Sequence, residues 1–311
     1  MRRGWMALLL SGLCLFAVGA PAASPEEAQK VFDEARQAAT LGPNPVPMAS
    51  QAVLRLPADT LFIPQPQATK LLNAMGNPGT DERLQGLVFP SGDAGWFMTV
   101  RYEPSGYIKD DDAKEWNAEE LLKSYREGTE ASNEERVKMG SQAIEVLGWA
   151  EAPAYDAATH QLAWAMSSRH KGAQAGEPQG VNYNTYLLGR EGYFSMNLVT
   201  ALNDLPAHKP AAQALLGGLS FDEGKRYADF KSGTDKVAEY GLAALVVGVA
   251  AKKLGLIALG LAFAAKFAKV IFLAVAGFGA LGAKLWKRSP AKASATASAA
   301  PPEPPAAPPA A

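Results

Sequence analysis

The feature that most constrains this chain is an apolar tract at 241–283 in which lysine is the only charged residue type. A bilayer core of about 30 Å is crossed by roughly 20 apolar residues in an α-helix, so the tract is long enough for at least one crossing. A lysine at the bilayer centre costs about 3 kcal/mol. One long tilted span must therefore give Lys266 and Lys269 a partner or water, whereas two minimal spans would meet at those lysines. The tract predicts a C-terminal transmembrane helical segment at 240–288, with one or two spans.

The amino terminus predicts a secretory signal peptide over residues 1–22. Two arginines near the start are followed by an apolar run at 7–18 and by small residues at 20–22, which is the order that such a signal requires. Cys14 suggests a lipoprotein as an alternative, but it follows Leu13, whereas a lipidated cysteine normally follows a small residue. Because Cys14 is the only cysteine, removal of the signal leaves no thiol, which excludes disulfides and cysteine metal sites from the mature protein.

The charges indicate which side of the membrane each part of the chain occupies. The chain is almost neutral, with 30 basic and 31 acidic residues, but every charge from 252 to 292 is positive. Because basic residues beside a span mark its cytoplasmic side, Lys284, Lys287 and Arg288 predict that the carboxyl end is inside the cell. The preceding domain is then periplasmic, and the tract lies in a bacterial inner membrane. The same lysines could instead only solubilise an alanine-rich helix; a nucleic-acid surface is disfavoured because the lysines alternate with apolar runs.

Two further patterns concern the tract and its end. Gly241, Gly248 and Gly255 recur every seven residues, and small residues on one helix face let helices approach closely in lipid. This spacing predicts self-association through the membrane helices, although an alanine- and glycine-rich composition produces such spacings by chance. After Arg288 the chain is rich in alanine and proline, a composition that cannot bury a core and that predicts a disordered tail.

The region between the signal and the tract divides into a helical leader and a folded domain. Ser24 is a good N-cap and Pro25 suits the first helical position, so a helix is predicted from Pro25 to Ala39. Turn-forming residues between Gly42 and Pro47 end it. The predicted divisions are a signal peptide (1–22), a helical leader (23–48), an α+β domain (49–223), a juxtamembrane linker (224–239), the membrane helix region (240–288) and a tail (289–311).

The domain alternates short extended runs with turn residues, which indicates an antiparallel sheet. Asn117 is a good N-cap for a helix that continues to about Met139, and another helix is predicted at Ala207–Leu216. Turns at 155–159 and 189–192 join strands into hairpins, and the glycines of the second turn are expected to supply positive backbone angles. The predicted strands are Ala52–Leu56, Thr60–Ile63, Gly86–Phe89, Trp96–Tyr102, Ala143–Trp149, Gln161–Ser167, Val181–Leu188, Tyr193–Val199 and Leu219–Phe221. The fold class is α+β, an antiparallel sheet with packed helices.

No stretch of the sequence carries a recognisable catalytic, cofactor-binding or metal-binding motif. Asp110, Asp111 and Asp112 could offer oxygen ligands to calcium or magnesium, but three consecutive acids point in different directions, so we predict a solvated turn. Ser195 lacks the flanking glycines of a nucleophile elbow. The histidines each stand alone in turn or loop sequence and are expected at the surface: His160, His170 and His208. We therefore predict no catalytic, cofactor-binding or metal-binding residue and no cofactor.

Four segments of the chain resemble bacterial membrane-anchored proteins of domain-of-unknown-function family 2167, and the resemblance runs from about Ala49 to Arg288. The segments are Gly106–Asp112, Val181–Thr185, Leu188–Gly192 and Gly224–Phe230. The resemblance implies no activity, substrate or catalytic residue. The order of strands and helices is also similar to the PsbP/Mog1-like sandwich, a fold used more for binding than for catalysis, which is an analogy at the level of the fold.

The sequence leaves two functions from different classes open. The first is a non-catalytic binding or scaffold module of the cell envelope that contacts membrane lipid, an envelope protein and other copies of itself. The alternative is an envelope hydrolase in which the acidic triplet 110–112, with Lys109, holds a metal or acts as a base. A cluster of these carboxylates with His160 or Glu191 would favour the alternative, and a flat acidic turn would not.

Residues 225–230 stand just before the tract, where they could dock on the underside of the domain or rest against lipid headgroups. We predict docking, because anionic lipid would repel Asp229 and Asp235. Loss of Tyr227 and Phe230 is then expected to loosen the domain at this joint.

Overall fold

The fold is organised by an eight-stranded antiparallel sheet, seen in a computed structural model that describes residues 25–247 except 76, 78, 93, 115, 139–141, 175 and 178. The predicted signal peptide, nearly all of the apolar tract and the tail lie outside the described residues. Within the described range, no helix has both the length and the apolar character needed to cross a bilayer. Contacts divide the chain into Met1–Lys253 and Leu254–Ala311, and every described residue belongs to the first unit.

The sheet and its helices are built from short elements. The helices are α1 (Pro25–Gln37), α2 (Gln67–Ala74), α3 (Ala118–Lys138), α4 (Leu205–Gly218) and α5 (Leu242–Val247). The strands are β1 (Thr40–Leu41), β2 (Pro45–Met48), β3 (Ala52–Arg55), β4 (Thr60–Pro64), β5 (Leu84–Pro90), β6 (Phe97–Glu103), β7 (Ile144–Asp156), β8 (Gln161–His170), β9 (Gly180–Leu188), β10 (Tyr193–Ala201) and β11 (Leu219–Phe221). The large sheet has the order β1-β4-β5-β6-β10-β9-β8-β7, and a small sheet has the order β11-β3-β2.

The β9–β10 hairpin lies at the centre of the large sheet, and β10 pairs antiparallel with both β9 and β6. Successive side chains of a strand point to opposite faces. Phe194, Met196 and Leu198 are accordingly buried on one face of β10, whereas Ser195 and Asn197 lie on the other face and are half-buried. The two faces of the sheet therefore have different chemistry at its centre.

One face of the large sheet is covered by the small sheet and by α4. Met48 and Leu54 of the small sheet and Leu215 of α4 belong to the same buried cluster as Phe194 and Met196 of β10. Burial of this apolar surface is the main source of stability for such a layered arrangement. The result is an α+β sandwich of sheet on sheet, as the fold class predicts.

The opposite face of the large sheet carries two separate apolar clusters. At one end α1 and α2 pack over β4 and β5, where Leu61, Leu87 and Phe89 are buried. At the other end α3 and α5 pack with a cluster that includes Ile108 and Trp164. The centre of this face, between the two clusters, is polar.

The predicted helical leader is part of the domain. Its helix is present as α1, but the residues that follow form β1 in the large sheet and β2 in the small sheet, so the separate leader predicted at 23–48 is wrong. Val46 and Met48 are buried, whereas Pro45 and Pro47 are exposed. β2 is an edge strand, where the missing N–H of proline interrupts no ladder. Prolines that indicate a turn in the sequence therefore lie in a strand.

The other predicted elements are present with small shifts. Both predicted hairpins form, and the closing strand is confirmed at Leu219–Phe221. Asn117 Oδ1 accepts hydrogen bonds from two N–H groups in the first turn of α3, at 2.8 and 3.3 Å, and so caps this helix. β7 runs to Asp156 instead of ending at Trp149. It contains Pro153, which β7 tolerates because it is also an edge strand.

Candidate functional site

Three of the four segments that carry the family resemblance meet at one end of the domain. Gly189 forms a β-bridge with Arg226, and Tyr107 forms a β-bridge with Val237. The N–H of Tyr107 donates to the backbone oxygen of Lys236 at 2.8 Å, and the backbone oxygen of Tyr107 accepts from the N–H of Ala238 at 2.8 Å. The chain after β11 is thereby bonded to two loops of the domain. We call this set of residues the clasp; it comprises 106–112, 189–192 and 224–243.

A bidentate ion pair in the clasp joins Arg190 in the β9–β10 turn to Asp235. Arg190 Nε and Nη2 each lie 2.7 Å from one Asp235 oxygen, and the two side chains are 18% and 9% exposed. Arg190 Nη1 also donates to Gly224 O at 3.1 Å. The hydrogen bonds from Arg190 and from the N–H of Lys231 hold the pKa of Asp235 well below its usual range. The turn therefore holds both ends of 224–235 through one guanidinium group.

Four aromatic rings contact one another within and beside the clasp. Tyr107 lies against Phe230 and Tyr227, with ring centroids 3.9 and 4.4 Å away. Tyr227 also contacts the His160 ring, at 4.1 Å. The Tyr227 hydroxyl donates to the backbone oxygen of Ile108 at 2.7 Å, and Tyr227 is 7% exposed. The predicted docking of 225–230 on the domain is confirmed.

The three consecutive aspartates point to three different places. The Tyr155 hydroxyl donates to Asp110 Oδ2 at 2.8 Å and lies 3.2 Å from His160 Nδ1. Asp112 instead accepts from two N–H groups at the start of α5, at 3.1 and 3.0 Å, as a capping carboxylate does. Asp111 is exposed. The predicted solvated turn is therefore wrong for Asp110 and Asp112, because each forms a specific contact within the domain.

The hydrolase alternative requires the aspartates to cluster with His160 or Glu191. The structure brings only Asp110 close to His160, and the Tyr155 hydroxyl lies between them. Burial, and then the hydrogen bond to Asp110, raise the pKa of Tyr155, so its hydroxyl stays protonated at neutral pH and acts as a donor. Glu191 is separate, because Lys225 Nζ lies 2.8 and 2.7 Å from its two oxygens and lowers its pKa. Among the residues that the structure describes, no three His, Cys, Asp or Glu side chains come close enough to hold a metal ion.

The glycines of the β9–β10 turn serve close packing. Neither Gly189 nor Gly192 has the predicted positive φ. A Cβ on Gly192 would lie 2.0 Å from the backbone oxygen of Glu103, and a Cβ on Gly189 would lie 2.4 Å from the Phe221 ring. The turn therefore requires glycine because neighbouring atoms occupy the space of a side chain.

We expect Gly192→Ala to lower the free energy of unfolding by about 1–3 kcal/mol, the usual cost of overpacking, because the neighbouring backbone has to move. The matched control is Gly217→Ala in α4, where a Cβ meets nothing within 4 Å. Alanine in a helix is favoured over glycine by roughly 0.5–1 kcal/mol, so the control should gain stability. Urea denaturation of both variants measures the difference, and equal stabilities would contradict the close approach at Gly192.

The remaining sequence candidates lie away from the clasp. His208 in α4 has its Nδ1 2.7 Å from Thr200 Oγ1, and burial lowers the pKa of His208. All three histidines are half-buried, so the predicted surface position is wrong for each of them; His160 packs against Tyr227 of the clasp. His170 ends β8 and Ser195 lies in β10. The structure brings Asp110 and His160 together, and it leaves the other candidates dispersed.

A band of polar side chains crosses the large sheet between its two apolar clusters and ends at Trp164, which belongs to the cluster packed by α3 and α5. In register order across β6, β10, β9 and β8, its central row is Thr99, Asn197, Asn184 and Trp164. Arg101 and Ser195 form the neighbouring row on the side of the clasp. Asn182 lies in the neighbouring row on the opposite side of the central row. We call these seven residues the polar belt. It includes both asparagines of Val181–Thr185, the fourth segment of the family resemblance.

Three polar atoms of the belt are buried without a hydrogen-bond partner: Asn182 Oδ1, Asn197 Oδ1 and Trp164 Nε1. Leaving one such atom unpaired costs about 1–3 kcal/mol, and native proteins contain few of them. Trp164 is 2% exposed, and its ring stacks on Tyr186 with centroids 4.9 Å apart. This group was not predicted from the sequence. The signal that could have revealed it is the alternating asparagine of Val181–Thr185 within a predicted strand.

An ion cluster fixes Arg101 at the edge of the polar belt. Arg101 Nε donates to Asp81 Oδ2 at 2.8 Å, and Arg83 Nε donates to Asp81 Oδ1 at 2.7 Å. Arg101 Nη1 donates to the Thr99 hydroxyl. Burial alone would raise the pKa of Asp81, but the hydrogen bonds from Arg83 and Arg101 outweigh it and lower the pKa to about 2.

The pKa of Asp81 predicts a loss of stability in acid. Its folded value of about 2 lies below the value of about 3.9 for an unfolded chain, so the carboxylate stabilises the fold above pH ~4. This contribution is lost as the pH falls toward the folded value. Asp81→Asn is therefore expected to be less stable than the native protein at neutral pH, and the difference should shrink in acid. Urea unfolding across this pH range measures it, and a difference independent of pH would contradict the ion cluster.

One cleft lies beside this region, and a second lies away from it. One of about 360 Å³ is lined by Gly176, Glu177, Gln179, Ala201, Leu202 and Asn203. Ala201 and Val199 lie on the same face of β10 as the polar belt. Because Val199 is opposite Asn182 of the belt, the cleft at Ala201 begins next to the belt. The other, of about 500 Å³, lies between α3 and β7. There Arg126 Nε donates to Val146 O at 3.2 Å and so covers part of the sheet edge.

The chain is similar to one protein family and to several solved structures, of which two are described here. No curated protein matches its sequence. Cyanobacterial PsbP (CyanoP) from Synechocystis sp. PCC 6803 is 9% identical over 58% of this chain and 92% of that chain, with a TM-score of 0.35. The Ran-binding protein Mog1p of Saccharomyces cerevisiae is 9% identical over 58% of this chain and 96% of that chain, with a TM-score of 0.32. A family model described as "Protein of unknown function (DUF2167)" matches residues 40–278. Because this match covers more than half of the chain and confirms the resemblance of its four segments, the chain belongs to the DUF2167 family.

Proposed function

We propose that this protein is an exported, membrane-anchored module of the bacterial cell envelope that binds or scaffolds a partner and catalyses no reaction. Its domain lies in the periplasm and its apolar tract lies in the inner membrane. The observation that carries the proposal is the clasp, because it bonds the residues that lead into the tract to the loops of the domain.

The charged groups of the clasp are used in contacts within the chain, which favours a scaffold over an enzyme. Arg190, Glu191 and Asp112 are each bonded to other groups of the same chain. Leu242 and Leu245, the first two leucines of the apolar tract, are 0% and 2% exposed within the cluster formed by α3 and α5. A partner that binds the domain therefore acts on a body that includes the first residues of the tract.

The proposal names three classes of contact. Membrane lipid surrounds the tract beyond the residues of α5, an envelope protein binds the domain, and further copies of the chain associate through the small-residue face of the tract. The spacing of Gly248 and Gly255 supports the last of these, whereas Gly241 packs on the domain, where a Cβ would lie 2.5 Å from an Asp112 oxygen. Nucleic acid is not among the partners, since the lysines of the tract alternate with long apolar runs.

Carbonate extraction of membranes from cells that produce the full chain tests the anchor. We expect the mature chain to stay with the membrane and to begin near residue 23 after cleavage of the signal. Protease added to spheroplasts should reach the domain. Recovery of the intact mature chain in the aqueous fraction would overturn the proposal.

Cross-linking in cells, followed by pull-down of the intact chain, tests the scaffold against the hydrolase. The hydrolase is supported by one observation, the contact of the Tyr155 hydroxyl with Asp110 and His160. Asp110→Asn keeps the shape of the side chain and removes its charge. A scaffold captures the same partner with and without this substitution. An activity that Asp110→Asn abolishes, with no partner captured by either protein, would favour the hydrolase.

A further inference from the structure

We propose that the second half of α3 is a strap that closes the free edge of the large sheet and so keeps β7 from pairing with β7 of a second copy of the chain. The strap comprises residues 126–138, and the stretch of edge that it closes is 144–147. The proposal goes beyond the scaffold function and does not depend on the clasp or on the membrane anchor.

Two side chains of the strap bond the outer edge of β7 as a neighbouring strand would. Asn133 is 5% exposed, and its Oδ1 accepts from the N–H of Ile144 while its Nδ2 donates to the backbone oxygen of Ile144, both at 2.9 Å. One carboxamide thus replaces the two backbone groups that a paired residue would supply. Arg126 Nε and Nη2 donate to the backbone oxygens of Val146 and Leu147 at 3.2 and 2.5 Å. Seven residues are about two helical turns, so both side chains face the same side of α3.

Apolar packing does not explain the position of the strap. Its two apolar side chains, Ala131 and Val137, are exposed, and Asn133 alone is buried among the strap residues whose exposure the structure describes. The first half of α3 differs, because Leu121 is buried in the cluster that α5 also joins. The cleft of about 500 Å³ lies between the strap and β7. Polar bonds to the edge therefore hold the strap in place.

The other outer edges of the two sheets are closed by different means. β1 has two residues and β11 has three. β2 carries Pro45 and Pro47, and the later part of β7 carries Pro153 and shifts in register. Short strands, prolines and bulges each discourage pairing with another chain. Residues 144–146 contain no proline and pair regularly with 168–170 of β8, so the strap is what closes this stretch.

A second copy of the chain is the partner that the strap excludes. Two identical edges pair antiparallel about a twofold axis, and each then supplies the donors and acceptors that the other lacks. The charged side chain of this stretch does not oppose such pairing, because Glu145 lies 2.9 Å from Arg169 of β8 and is neutralised by it.

Light scattering of the full chain in lauryldimethylamine oxide tests the proposal. The double variant Arg126→Leu/Asn133→Leu removes the bonds to the edge and is expected to keep the core folded, because the strap buries no apolar side chain. We expect its particle mass to be at least about twice that of the native chain, since two copies pair through β7. Association through the tract is the same in both proteins. An unchanged mass at equal protein concentration would overturn the proposal.

Two further variants identify the surface that pairs. Ile144→Pro, added to the double variant, removes an N–H that edge pairing uses, and an edge strand tolerates proline. The particle mass should then return to the native value. The matched control is Glu127→Leu/Glu134→Leu, which adds two leucines at exposed positions of the strap and should keep the native mass. A mass that stays high with the proline, or that rises equally in the control, would overturn the proposal.

Hydrogen exchange in the native chain gives a readout that needs no variant. The N–H of Ile144 points to the strap, whereas the backbone groups of Glu145 point to β8, because successive residues of an antiparallel strand alternate. A strap held by polar bonds alone opens while the sheet stays intact. We expect the N–H of Ile144 to exchange together with the strap amides, at least about tenfold faster than that of Glu145. Exchange of Ile144 and the strap as slow as that of Glu145 would show that the strap belongs to the core, and the proposal would fail.

Discussion

Replacing Tyr227 by alanine is expected to lower the free energy of unfolding by roughly 3–5 kcal/mol, the range for loss of a buried aromatic side chain. The ring contacts both Tyr107 and His160, and its hydroxyl is the donor for the backbone oxygen of Ile108. Truncation removes the centre of the stack and leaves that oxygen without its donor. Urea denaturation of the full chain, followed by tryptophan fluorescence, measures the loss.

Two companion variants divide this effect between ring and hydroxyl. Tyr227→Phe keeps the stack and is expected to cost about 1–3 kcal/mol, because the oxygen of Ile108 loses its donor. Phe230→Ala removes a half-buried ring at the end of the stack and should cost less than Tyr227→Ala. If Tyr227→Ala unfolds at the same urea concentration as the native chain, residues 224–235 are not held on the domain.

Leu245→Ala is the second substitution with a large expected effect, a loss of about 2–5 kcal/mol. Leu245 is 2% exposed and lies in the buried cluster of Ile108 and Trp164, although it belongs to the apolar tract. Its side chain therefore stabilises the domain itself. Urea unfolding of the full chain in lauryldimethylamine oxide measures the change.

Leu41→Ala is the matched control, because Leu41 is 60% exposed. Substitutions at such positions usually change stability by no more than about 0.5 kcal/mol. A loss at Leu245 with none at Leu41 assigns the start of the tract to the core of the domain. Equal and small effects at both leucines would show that α5 does not pack against α3.

The large sheet could be predicted from the sequence because its central strands alternate regularly. Tyr193–Ala201 has buried apolar residues at every second position, and its turn residues are clear. β2 was missed because Pro45 and Pro47 indicate a turn unless the strand is known to lie at an edge. An edge is a property of the assembled sheet, which no local pattern contains. β1 has two residues, too few to show any alternation.

The sequence predicts that segment 225–230 docks on the domain, but it does not predict which residues of the clasp contact each other. Docking of 225–230 follows from the charges near the tract. The partner of Arg190 does not, because Asp235 lies 45 residues away and no spacing rule relates them. The need for Gly192 was predicted for the wrong reason, since the neighbouring Glu103 oxygen that excludes a side chain comes from β6.

The polar belt could not be predicted from the sequence because its residues come together only through the register of four strands. Asn197 is 13 residues from Asn184 in the sequence, and the β9–β10 hairpin places them opposite each other. An asparagine in a strand ordinarily faces solvent, and only the packing of helices at both ends of this face shows that these oxygens are buried.

Hydrogen exchange of backbone amides in the full chain tests most directly whether residues 224–243 are bonded to the domain. The N–H groups of Ala238, Leu242 and Ala243 donate to Tyr107 and Asp112. We predict that these amides exchange as slowly as those of β10, because they open only when the domain unfolds. Exchange at the rate of an unstructured peptide, with β10 still protected, would show that the segment before the tract is a free linker.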